Sequence, residues 1–234
     1  MSKHFERDLE RLQQQLLALF GDVEQMIDQA ARALCERDLK LVEVVIANDP
    51  AVDEAEVAIE EDCLKILALH QPVAADLRRI SSIMKINLDL ERMADLACNI
   101  AERARDMHEY ANFPVPGKLA EMARQSAHMV RRAIDAFVNS DTRLAKHVIQ
   151  CDEAIDADNR QIIFELQTMM RADSNLVEPA LHCFSASRHI ERLADHAENI
   201  AEDVVYFVDG EIVRHKHGHF TLPSDRTGNH VNTD

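Results

Sequence analysis

The stretch ERMADLACNIAER, Glu91 to Arg103, returns one hundred residues later as ERLADHAENIAED, Glu191 to Asp203. Nine of the thirteen positions are identical, including Glu91/Glu191, Asp95/Asp195 and Asn99/Asn199. Alanines and branched aliphatics three and four apart in each copy mark a helix with one buried side. The chain therefore carries the same helix twice, and its fold is to be sought as an internal duplication.

Outward from the two copies, helical periodicity covers most of the chain. Apolar residues three and four apart from Phe5 to Leu34 predict a first long helix. A second begins near Asp38, a candidate N-cap, is expected to break or kink at Pro50, and resumes to about His70. HQPVAAD is a turn, and the third helix carries Ile80, Ile83, Ile86, Leu90, Ala94, Ala97 and Ala101 to about Tyr110. NFPVPGK is the clearest linker. The second half repeats the plan over Leu119–Phe137, Leu144–Met170 and Glu178–Val208, with Ser140 or Asp141 able to cap and Gly210 as a stop. The expectation is an all-α protein of two tandem three-helix bundles, residues 1–112 and 113–210, followed by a flexible tail over 211–234.

Composition agrees. Of the 234 residues 47% are apolar, enough for a sizeable core, while aromatics are only 4% and Trp is absent, which suits helices packed on helices. Five Gly and six Pro are too few to punctuate a many-stranded sheet. The net charge of −16 repels phosphate backbones, so nucleic-acid binding is disfavoured, and it leaves either a solvated acidic surface or a cation-binding role. Five scattered cysteines without a Cys-x-x-Cys pair predict free thiols in a reducing compartment. No leader is read in MSKHFERDLERLQQQ, and no apolar run approaches the roughly 20 residues of a membrane span, so a cytoplasmic protein is expected.

At about 100° per residue, Glu91, Asp95, Asn99 and Glu102 fall within an arc of about 80° beside the apolar stripe of Leu90, Ala94, Ala97 and Ala101. Glu191, Asp195, Asn199 and Glu202 do the same in the second copy. Like charges at i and i+4 weaken a helix slightly, so folding does not call for them. The middle helix of each half adds another such pair, Asp49 with Asp53 and, 103 residues on, Asp152 with Asp156. If neighbouring helices lie side by side, each half brings four carboxylates together, ligands for Mg, Mn, Fe or Zn.

Plainer readings exist for several of these residues. Asp49 before Pro50 has the form of an N-cap followed by Pro at the first helical position, which would explain its acid without a metal. Glu91 and Glu191 could be solvated charges pairing with Arg103 or Arg188. His196 could be a ligand of the second copy, though a surface histidine is the preferred reading, and His215, His217 and His219 in the tail receive no role. A rival function is a carboxylate-bridged di-metal enzyme on a helical bundle, but such sites use inward Glu and Glu-x-x-His, and no Glu here is followed by His three residues later. A purely structural acidic helical partner protein is a further alternative. With no Gly-rich phosphate loop or nucleophile motif, a non-enzyme is expected.

QPVAADLRRISSIMKINLDLERMADLACNIAE resembles the central segment of the PhoU family, and SRHIERLADHAENIAEDVVYFVDGEIVRH resembles that family's closing segment. The resemblance runs from about residue 5 to residue 215. It implies tandem three-helix bundles, a homodimer, and metal sites of iron or zinc, with manganese also admitted by the donors. By position the implied ligands are Asp49, Asp53, Glu91, Asp95, Asp152, Asp156, Glu191 and Asp195. It further implies a negative regulator of phosphate-starvation signalling that connects the ATPase of a phosphate transporter to the sensor kinase PhoR. The first copy departs from the pattern, with Leu96 and Cys98 where the second has His196 and Glu198.

Overall fold

The computed structural model describes residues 3–213. They form six long helices: α1 (Lys3–Glu36), α2 (Leu39–His70), α3 (Ala74–Met107), α4 (Gly117–Asn139), α5 (Thr142–Ala172) and α6 (Val177–Asp209). A 3-10 turn, Ser174–Leu176, precedes α6, and there is no strand among the described residues. The all-α expectation and the duplicated three-helix plan both hold.

Local chemistry sets the ends. The Asp38 side chain accepts from the Lys40 amide and that of Asp141 from the Arg143 and Leu144 amides, each satisfying donors the first helical turn leaves free. Gly210 closes α6 in the left-handed region at φ 72°, its N–H donating to the Tyr206 carbonyl, with the Arg78 guanidinium 3.6 Å from where a Cβ would stand. Glycine is needed there both for its φ and for that approach.

Pro50 behaves otherwise than expected. α2 runs unbroken through it from Leu39 to His70. Burial of Val42, Val45, Val52, Ile59, Cys63 and Ile66 along one side of α2 holds the helix together across the bond Pro50 cannot make. Asp49 is consequently an interior helical residue and not an N-cap, so capping does not explain its acid.

α1, α2 and α3 pack on one another, as do α4, α5 and α6. The most extensive pairing, however, is α3 with α6, and α1 also meets α4, so buried residues from both halves join into one continuous core. Contacts of Ser82 and Lys85 with Asp203, of Asp89 with His196 and of Asp106 with His182 show that α3 and α6 run antiparallel. Alanines at 94, 97, 101, 194, 197 and 201 are all buried and let these two helices approach closely. Beyond Gly210, Val213 is buried in the core, so packing reaches into the start of the segment expected as a tail. The remainder of that segment, with His215, His217 and His219, lies outside the described residues.

Candidate metal site

Two acidic clefts form, one between α2 and α3 and one between α5 and α6. In the first, the Asp49 carboxyl is pushed up by burial, against a Cys98 hydrogen bond, and then by the charges of Asp53 and Asp95. Glu91 is likewise pushed up by burial and by Asp95, against Arg92, and also feels Asp53 and Glu56 across the cleft. The two sequence pairs therefore face each other: Asp49 and Asp53 come from α2, Glu91 and Asp95 from α3. The Cys98 thiol points into the same cleft, 3.4 Å from Asp49 Oδ1, and burial with the Asp49 charge lifts it to about 12.

The second cleft has the same plan. Burial and then Asp152 and Asp156 push Asp195 up, while Glu191 is raised by burial and Asp195 against Arg188, and also feels Asp156. All four predicted acids of this repeat thus converge as well. Glu198, which takes the place of Cys98, is raised to about 7 by burial and by Asp152, Glu202, Asp195 and Asp156. Glu198 and Glu56 are cleft residues beyond the four predicted pairs. Their signal was present in helical spacing, Glu198 standing seven residues after Glu191 and Glu56 seven after Asp49, but it lay outside the i, i+4 pattern.

The expected ion pairs are partly realised. Arg188 donates to Glu191 Oε1 at 2.6 Å, whereas Glu91 has Arg92 Nε at 3.4 Å from its Oε2 without hydrogen-bond geometry. His196 differs from both readings made of it. Its Nδ1 lies 2.7 Å from Asp89 Oδ1 on α3, and its side chain is only 17% exposed, so it belongs to the seam between repeats and not to the surface.

The donor set fits a hard or borderline cation: carboxylates crowd each cleft, mutual repulsion raises their affinity for protons, and Glu191 is buried with Oε2 lacking a hydrogen-bond partner. Yet among the described residues no group of three or more His, Cys, Asp or Glu is arranged to hold a metal ion. Coordination in either cleft would need carboxylates to turn toward a common point.

The PhoU domain family matches residues 16–104 and 119–204, one copy in each half. The chain belongs to the PhoU family. A curated relative from Pseudomonas putida, a phosphate-specific transport system accessory protein PhoU homolog, is 40% identical over 216 residues, 92% of this chain and 84% of the relative. The crystal structure of PhoU from Pseudomonas aeruginosa superposes with TM-score 0.86 at 38% identity, over 88% of this chain and 100% of that one. The PhoU structure from Streptococcus pneumoniae, described as a phosphate transport system regulatory protein, gives 0.83 at 31% identity over 89% and 99%. PhoU membership accounts for the duplication and for the six-helix plan. No described helix is long and apolar enough to cross a membrane.

Proposed function

We propose that this PhoU chain is a cytoplasmic, non-enzymatic regulatory adaptor of phosphate uptake, which binds metal in its two acidic clefts. Its relatives' description as accessory to phosphate-specific transport supports the phosphate link. In this reading it restrains uptake and starvation signalling by connecting the phosphate-transporter ATPase to a PhoR-type sensor kinase, acting as a homodimer. The observation that carries the metal part is the convergence, twice over, of four carboxylates whose neighbours are chiefly other carboxylates.

A bound cation would offset that repulsion and could fix the angle at which α2 meets α3, and α5 meets α6. Asp49, Asp53, Glu91 and Asp95 would hold it in the first cleft, and Asp152, Asp156, Glu191 and Asp195 in the second; iron, zinc and manganese all suit such donors. Two measurements test this reading separately. Elemental analysis and calorimetry with Mn(II), Fe(II) and Zn(II) should show binding that D95N/D195N weakens at least about tenfold; no binding of any of the three would remove the metal part. Deleting the gene should raise phosphate uptake and starvation-gene expression under plentiful phosphate; unchanged uptake and expression would remove the adaptor part.

A further inference from the structure

The two clefts open outward into grooves of unlike chemistry. In the first repeat the groove rim continues from Asp53 to Val57, Glu60 and Leu64 on α2 and from Glu91 to Leu88 and Met84 on α3. Val57, Leu64 and Leu88 are each about half exposed, at 52%, 52% and 51%. The Asn87 side chain donates to the Glu56 carbonyl at 2.9 Å, which sets Leu88 level with Val57 across the groove. Between Asp53 and Asp62 the α2 sequence DEAEVAIEED has acids at 53, 54, 56, 60, 61 and 62 and no base.

Under the offsets that relate the duplicated acids, Val57 corresponds to Arg160 and Leu88 to Arg188. Those arginines are bonded to acids of their own cleft, Arg160 to Asp156 at 3.2 Å and Arg188 to Glu191 at 2.6 Å. The second groove is thus neutralised from within. In the first, Asp53 has no basic partner among the described residues, Glu91 has only the half-exposed Arg92 beside it, and apolar side chains stand where the arginines would. Exposed apolar side chains framed by unmatched acids are a docking surface for a helix carrying the complementary pattern.

We propose that the α2–α3 groove of the first repeat docks an amphipathic helix of a partner protein, its leucine-like face on Val57, Leu64 and Leu88 and its lysines or arginines on Asp53, Glu60 and Glu91. The partner supplies in trans what Arg160 and Arg188 supply to the second groove. This rests on the adaptor reading and names the face it uses.

The test uses the full chain and a fluorescent Leu/Lys peptide of about 18 residues with helical apolar spacing, followed by anisotropy at about 0.15 M salt. V57R/L88R, which installs the residues of the second groove, should weaken binding at least about tenfold, and L64S should weaken it several-fold. F184S, at an exposed apolar site in the second repeat, should leave binding unchanged. These positions are exposed, so the variants should fold, which circular dichroism checks. Equal binding to wild type and V57R/L88R overturns the proposal, as does equal binding of a Leu/Glu peptide with the same apolar spacing. So does loss of a dimer in V57R/L88R with peptide binding intact, which would place a second copy on the groove, or flotation of the wild-type chain alone with lipid vesicles in the absence of peptide binding. Any of these with phosphate regulation intact in complemented cells would remove the groove assignment and leave the adaptor reading standing.

Discussion

Glu198 sits where Asp152, Asp156, Asp195 and Glu202 all bear on it, and its carboxyl is lifted from 4.5 to about 7, first by burial and then by those charges. An acid with a raised folded pKa holds its proton more tightly when folded. Its contribution to stability is therefore complete below the unfolded value of 4.5 and lost as pH rises through about 7. Metal-free protein should lose up to about 3 kcal/mol across that window from this group, and Glu191, Asp195, Asp49 and Glu91 shift in the same sense. Denaturant titrations of metal-free wild type and E198Q at pH 5 and pH 8 check this. The wild type should be weaker at pH 8 and E198Q should show less of that fall; identical pH dependence in the two would refute the assignment. At this scale the sequence showed which acids stand in pairs, because i, i+4 spacing fixes a common helix face. It could not show which cross-helix neighbour each pair would meet. His196 and Cys98 were hidden for that reason: one turns to Asp89 on α3, the other to Asp49 on α2.

Within elements, α2 shows burial overriding a local breaker. Pro50 removes one amide donor and crowds the carbonyl of Ile46, yet the helix persists because its buried side is fastened to α1 and α3. P50A should restore the missing bond and stabilise the protein by about 1–3 kcal/mol in urea denaturation. A destabilised P50A would mean that α2 needs the proline's geometry to seat Asp49 against Cys98. D38A removes the cap on the Lys40 amide and should cost about 1 kcal/mol by the same measurement; an unchanged midpoint would mean water satisfies that amide equally well. Helix number, order and most ends were legible in sequence because periodicity, the Asp38 and Asp141 caps and Gly210 are local signals. The Pro50 break was predicted wrongly because the force that carries α2 through it is tertiary.

For the whole molecule, the seam between α3 and α6 governs cooperativity. The core is continuous across it, and Asp203, buried at 5% exposure, is paired with Lys85 at 2.9 Å from the other repeat. Calorimetric unfolding should accordingly give one transition for the full chain, and two resolved transitions would show that the repeats fold separately. Sequence duplication identified two equal units but not this seam, since alanine stripes that face a helix in the same repeat and those that face the other repeat look alike in one dimension. Arg37, at the turn between α1 and α2, also donates to the carbonyls of Tyr110, Ala111 and Phe113, so the connecting segment is gripped on the first-repeat side of any cut placed after Phe113. Peptide continuity between the repeats then adds little to what the seam already supplies. Two separately expressed polypeptides divided at that segment should find each other and reconstitute the six-helix body, making the duplicated chain a heterodimer that happens to be covalently joined.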